Sequence, residues 1–326
     1  MTSTTPSHLN RRRIVQGMGA AMLLPMGMAR AADYPQRPIE VVVPASAGGS
    51  TDAVARAFAD AIRKYLPQPL IVNNKPGASG VVGMTDVMNA KPDGYKISMA
   101  ITELSILQHL GLSKFNYTAF KPVALLSADG ATVTVRADSP WRTLEDFLAA
   151  AKAKPGQLNI GNSGNGSVWH LAAAALEEST KTKFGHVPFQ GGAPAVLALL
   201  GGHVDAVTVS VGEVATHVQA GKLRILGVMA DKRTRGYEQV PTLKERGIDL
   251  SVAGWRGLLA PKSTPDDVVA TLRAATRKAV DDPAFQEQMD KLILTMLYLD
   301  APEFEGMLSR TDEYFKNLVA RSKITV

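Results

Sequence analysis

Val41-Val42-Val43-Pro44-Ala45-Ser46-Ala47-Gly48-Gly49-Ser50-Thr51-Asp52 is the stretch whose reading decides the fold class. Three β-branched apolar residues read as a strand, and they end in a loop of small residues. An amphipathic segment over 52–66 reads as the helix behind that loop. Strand, Gly/Ser loop and helix in this order leave the free backbone N–H groups of a helix start at the carboxyl end of a strand. Such a start seats an anion without a lysine. Ser50 or Thr51 is the expected cap.

The same order recurs along the chain. Strands at 39–43, 69–72 and 96–102 enclose helices at 52–66 and 81–90, a βαβαβ pattern that argues for a parallel sheet covered on both faces. A second series follows, with strands at 132–135, 158–161, 186–189, 206–209 and 223–229 and helices at 144–152, 168–178, 193–200 and 213–219. Helices near 265–281 and 302–320 close the chain. The expected fold is α/β with two lobes, each a mainly parallel sheet flanked by helices. Residues 32–130 plus 253–326 form the first lobe and 131–252 the second. Ligands of such sheets sit outside the carboxyl ends of the strands, here between the lobes.

The 326 residues suffice for two domains, and 45% hydrophobic with 20% charged residues is ordinary globular composition. The net charge of +6 has a local source, because residues 1–31 carry Arg11, Arg12, Arg13 and Arg30 and no acid. Setting those four aside leaves +2, which gives no basic face for nucleic acid. The same segment reads as an export signal: a basic start, a short apolar core over 17–28 and Ala29-Arg30-Ala31 as a small-x-small cleavage site. Its arginine pair fits either the twin-arginine route or the general secretory route. The chain is therefore expected to be exported, and the resemblance described below implies the periplasm as its location. The chain contains no cysteine, which excludes disulfides, thiolate metal sites and cysteine nucleophiles. No later apolar run approaches the roughly 18 residues of a membrane span.

Four strand-to-helix loops share one chemistry: 45–51, 73–80, 162–167 and 190–192, all rich in Gly, Ser, Asn or Gln. Gly166 or Ser167 is the expected cap of the helix carrying Trp169 and His170, and Gly192 that of the helix opening Ala193-Pro194. A carboxylate at a helix start gains roughly 0.3–1 kcal/mol, and each hydrogen bond to it roughly 1.5–3 kcal/mol. Two or three such seats on one ligand therefore reach micromolar affinity. The loop Asn162-Ser163-Gly164-Asn165-Gly166-Ser167 has neither the GxGxxG spacing nor a Walker lysine, and no GxSxG occurs. The six histidines show no HxH or HxxxH spacing, so no metal is expected, and no cofactor either. His170 reads as packing or supporting rather than ligand-touching. Asp205 either holds a water or a loop N–H beside the ligand or is a plain turn aspartate. Arg256 either forks a ligand carboxylate beside the flat wall of Trp255 or is a solvated charge next to a core indole.

An ordered series of pieces then carries a resemblance. Tyr34-Pro35-Gln36-Arg37-Pro38-Ile39 leads into Gly48-Gly49-Ser50-Thr51-Asp52. Asn74-Lys75-Pro76-Gly77-Ala78-Ser79-Gly80, Pro92-Asp93-Gly94-Tyr95 and Gly164-Asn165-Gly166-Ser167 with His170 follow. Val187-Pro188-Phe189-Gln190-Gly191-Gly192-Ala193-Pro194, Leu200-Gly201-Gly202-His203-Val204-Asp205, Ala220-Gly221-Lys222-Leu223-Arg224 and Trp255-Arg256-Gly257-Leu258 complete it. Over residues 34–310 the chain resembles the periplasmic solute receptors of tripartite tricarboxylate transporters, the Bug family. The resemblance implies a Venus-flytrap fold of the type II periplasmic-binding kind, a small carboxylate as ligand and an integral membrane permease as partner. Carried onto this chain, the first-lobe contacts are Ala45, Ser46, Gly48, Gly49, Ser50, Thr51, Ser79, Gly80 and Thr102. Those of the second lobe are Ser163, Gly164, Asn165, Gly166, Ser167, Gly192 and Asp205.

Two departures stand out. The first loop is smaller than is usual there, and Arg256 replaces an apolar or aromatic residue. Together they imply a longer ligand, a dicarboxylate or a phthalate-like aromatic acid, with Arg256 on its second carboxylate. The mechanism implied is ligand-driven closure of a monomer with no chemical step. An enzyme on the same scaffold would need paired acid/base groups, and a receptor feeding a sensor kinase would share every feature above.

Overall fold

The computed structural model describes residues 1–2 and 34–322, so the export signal read at 1–31 lies, but for its first two residues, outside the described part. The first series forms β1 (Ile39–Val43), α1 (Ser50–Ile62), β2 (Leu70–Asn74), α2 (Val81–Met88) and β3 (Lys96–Ile101). β4 (Phe120–Arg136) follows as one long strand. The second series is α3 (Leu144–Ala153), β5 (Asn159–Asn162), α4 (Val168–Thr180), β6 (Gly185–Pro188), α5 (Gly192–Leu200), β7 (Ala206–Val207), α6 (Val211–Gln219) and β8 (Leu223–Met229). The chain returns through β9 (Ala253–Pro261), α7 (Asp266–Val280), α8 (Pro283–Lys291), β10 (Met296–Asp300) and α9 (Ala301–Ser322).

β4 joins two sheets. Phe120 to Gly130 pair with β9, and Ala131 to Arg136 pair with β8, with β7 alongside at Thr134 and Val135. The first sheet runs β2-β1-β3-β9-β4 with β10 also on β4, and the second continues β4-β7-β5-β6 with β8 on β4. β2, β1 and β3 are parallel, as are β6, β5 and β7. Each parallel set is then extended by antiparallel β4 or β9, so both sheets are mixed where the sequence pattern favoured parallel pairing. The result is a two-lobed α/β fold whose chain crosses between sheets twice, at Gly130–Ala131 and again near Val252.

Side-chain alternation explains the layers. On β1, Ile39, Val41 and Val43 join the core under α1, α7 and α8, while Val42 joins the opposite core with Met84 and Val87 of α2. β9 alternates likewise, Leu258 and Ala260 to the first core and Trp255 and Leu259 to the second. The second sheet has its own core among α3, α4, α5 and α6. α9 serves both lobes, with Phe304 and Leu308 in a first-lobe core and Phe315 and Leu318 in the second-lobe core.

Candidate functional site

The loop after β1 is held from beneath. The Asp52 carboxylate accepts the Gly48 N–H at 2.9 Å and Arg56 Nε at 3.0 Å. Burial works to raise its pKa, but the Arg56 and Gly48 hydrogen bonds outweigh it and keep the carboxyl below the usual range. The N-cap of α1 is Gly49, with no side-chain cap, which corrects the expectation of Ser50 or Thr51. Ser50 Oγ instead accepts Arg256 Nη2 at 2.8 Å. Ser46, Gly48 and Gly49 are exposed, Ala45 is half-buried with its carbonyl accepting Asn74 Nδ2, and Thr51 is buried.

Ser79 and Gly80 lie beside this loop in a single 3-10 turn. Ala78 and Ser79 both adopt left-handed φ, 45° and 51°, a strained conformation for residues with a side chain. An added Cβ at Gly80 would stand 3.3 Å from the Pro44 carbonyl oxygen, so the turn is packed on the end of β1. Thr102 is buried at the end of β3. Its Oγ1 accepts the Trp255 N–H at 2.6 Å, so this hydroxyl is committed to fastening β9.

In the second lobe, Asn162 Oδ1 accepts the Gly164 N–H at 3.0 Å and Ser167 caps α4 by accepting the His170 N–H at 3.2 Å. His170 Nδ1 accepts the Gly166 N–H at 3.1 Å, the supporting role read from the sequence. Gly164 and Gly166 have φ of 118° and 75°, Ser163 is half-buried and Asn165 exposed. α5 begins at Gly192 with Gly191 as its N-cap, one residue earlier than expected. Asp205 stands apart. Its Oδ2 accepts the Asn159 N–H at 2.8 Å, at the amino end of β5 and thus away from the loop that leaves its carboxyl end.

Arg256 is 4% exposed and pairs with Asp129, whose other oxygen accepts the Thr295 N–H at 2.7 Å. The guanidinium is therefore neither solvated nor free. Trp255 points to the other face of β9, is 3% exposed and meets the Phe304 ring edge-on. Neighbouring residues of a strand face opposite ways, so the expectation of one wall made by Trp255 and Arg256 together is corrected.

Sequence reading missed three acids here. Glu103, directly after Thr102, reaches across to the second lobe, where its Oε1 accepts the Val168 N–H at the start of α4 at 3.2 Å. Glu213 Oε2 accepts both the N–H and the Oγ of Ser210 at 3.0 Å, and its Oε1 crowds Gly192, where an added Cβ would be only 2.0 Å away. Asp129 completes the set. Burial pushes the carboxyl groups of Glu103 and Glu213 above the usual range, against the opposing pull of Arg256. Ser210-x-x-Glu213 was legible as a capping box; nothing local in the sequence marked Glu103 or Asp129. Ser50, the start of α4 and Gly192 are thus each met by one ionisable side chain: Arg256, Glu103 and Glu213 in turn. A surface cavity of about 430 Å³ lies elsewhere, between α7 and β10, where Arg273 is already paired with Asp300.

Residues 54–322 match the tripartite tricarboxylate transporter family receptor, TctC. A Cupriavidus necator protein described as a UPF0065 protein in the gbd 5' region is 34% identical over 323 residues, covering 96% of this chain and 98% of its own. The crystal structure of a TctC solute-binding protein from Polaromonas is 50% identical with a TM-score of 0.75, covering 88% of this chain and 99% of that one. MatC from Rhodopseudomonas palustris, solved with bound malate, is 28% identical with a TM-score of 0.77 and covers 88% of this chain and all of its own, 100%.

Proposed function

The chain belongs to the tripartite tricarboxylate transporter receptor family, and from that membership we propose that it is a periplasmic receptor that closes two lobes on one small organic carboxylate and delivers it to a membrane permease. Among the described residues no helix is long and apolar enough to cross a membrane, in keeping with a receptor separate from its permease. The observation that carries the reading is the convergence of loops from both sheets: the start of α1 through Ser50, the start of α4 through Val168 and the start of α5 at Gly192. The malate held by MatC supports the ligand class. We draw the lobes as 32–130 with 253–326 and 131–252, with α9 shared between their cores.

Closure needs no chemistry. A ligand that touches both lobes shifts the open–closed equilibrium by its differential affinity, and the enclosed setting strengthens each polar contact. A dicarboxylate or phthalate-like acid would place its second carboxylate near Arg256, sharing that guanidinium with Asp129 and Ser50. The test is thermal unfolding of the full chain against mono-, di- and tricarboxylates, aliphatic and aromatic. A ligand at a hundred times its Kd adds about 2.7 kcal/mol, a readable rise in Tm. If no acid in the panel raises Tm, the receptor reading fails.

A further inference from the structure

Between β3 and β4 the chain reads Thr102-Glu103-Leu104-Ser105-Ile106-Leu107-Gln108-His109-Leu110. It winds as a 3-10 turn over Thr102–Ser105 and continues in further turns. The Leu107 N–H donates to the Glu103 carbonyl at 3.0 Å, and the Leu112 N–H to the Leu107 carbonyl at 2.9 Å. Turns of this kind bring residues three and four apart onto one side. Leu104 and Leu107 enter a first-lobe core with Trp255 and Phe304. Glu103, Ile106 and Leu110 form another side, and that side meets the second lobe.

Ile106 is 0% exposed inside the second-lobe core, Leu110 packs against that core, and Glu103 accepts the Val168 N–H. His109 meets α9. Its Nε2 stands 3.1 Å from Asp312 Oδ1, with the two side chains only 14% and 17% exposed. Asp312 lies between Leu308, which is in a first-lobe core, and Phe315, which is in the second-lobe core. By chain order the segment belongs to the first lobe, yet one of its sides is seated on the other lobe. Two covalent crossings would by themselves let the lobes swing, the default for domains that share a modest interface. Withdrawing Ile106 and Leu110 would return dry apolar surface to water, so a swing that keeps them seated is favoured over one that pulls them out.

We propose that residues 103–110 are a strap, a non-covalent link from the first lobe onto the second that holds the ligand-free receptor to a narrow range of opening angles. Ile106, His109 and Leu110 lie outside the four ligand loops, so the strap acts on lobe geometry and not on ligand contacts. Lobes already held to few angles have less freedom to lose when a ligand closes them, which favours binding of whatever acid fits.

The chain contains no cysteine, so Asp60→Cys on α1 and Lys152→Cys on α3, both at exposed positions, take spin labels one to each lobe. Double electron–electron resonance on the full chain, with no acid added, reads the distance between the labels. The labelled chain with its strap intact should give one narrow distribution. His109→Ala with Leu110→Ala should broaden it at least twofold. Leu107→Ala trims the side of the same segment that faces its own lobe and should leave the width as it was. A broad distribution with the strap intact overturns the proposal, and this answer stands even where a variant fails to fold. A narrow distribution that survives His109→Ala with Leu110→Ala overturns it too. So does equal broadening by Leu107→Ala, because the cause is then loosened packing and not a lost link. No ligand enters these measurements, so each of those results leaves the carboxylate-receptor reading intact; that reading fails separately, on a panel of acids that leaves Tm unmoved.

Discussion

At His170 a single hydrogen bond fixes the protonation state. Nδ1 accepts the Gly166 N–H, so the ring must be neutral with its proton on Nε2. Burial, then the neighbouring His186, lowers its pKa from 6.5 to about 4. A histidine whose folded pKa lies below its unfolded one contributes its stability fully above pH 6.5 and loses it as the pH falls towards 4. At 1.36 kcal/mol per pKa unit the loss is on the order of 3 kcal/mol. His170→Asn keeps an acceptor at the δ position and cannot titrate, so urea unfolding at pH 7 and pH 4.5 should show a smaller drop for the variant. Glu103 and Glu213 slope the other way. Their raised folded pKa values favour the fold below the ordinary glutamate range, and that advantage is lost as pH rises through the raised values. Mild acid thus tightens the glutamate cluster while loosening the loop held by His170.

The element scale separates what local sequence carries from what only packing decides. The βα units were legible because their strands are short, apolar and followed by Gly/Ser loops; β1 and β8 lie within the expected bounds. β4 and β9 were not. β4 runs straight through Ser127-Ala128-Asp129-Gly130, a stretch with no local strand pattern, because β9 pairs with it from Phe120 to Gly130. Thr102 fastens the start of β9 from 153 residues away in sequence, a contact no window can contain. The loops of the site were readable by composition, whereas the acids facing them arrive from the turn after β3, from β4 and from α6. Close packing between elements is testable at Gly83 of α2, where a Cβ would meet the Lys75 carbonyl at 2.8 Å and Pro44 Cα at 2.9 Å. Both neighbours are backbone and cannot rotate aside. Gly83→Ala should cost about 1–3 kcal/mol by overpacking, measured by chemical denaturation, and should weaken ligand binding by displacing the loop after β1.

Over the whole molecule, Arg256 and Asp129 sit where the chain crosses between lobes. Asp129 precedes the first crossing by one residue, opposite Gly254 on the returning strand, and Arg256 follows on that same strand. Through Ser50 the guanidinium also ties this crossing to the start of α1. A buried pair of this kind contributes little over apolar replacements but is costly to break from one side. Arg256→Met alone leaves Asp129 charged and enclosed and should cost about 3–5 kcal/mol of unfolding free energy. Asp129→Asn added to it removes the stranded charge, keeps an oxygen for the Thr295 N–H and should recover more than half of the loss. The folded double variant then separates two roles that Arg256→Ala alone would confuse. If the arginine braces the crossing without touching ligand, small-angle scattering of the double variant should show the same ligand-induced compaction as the unaltered chain at saturating acid, with Kd within about threefold. A double variant that folds well, yet loses a dicarboxylate a hundredfold, would return Arg256 to the ligand.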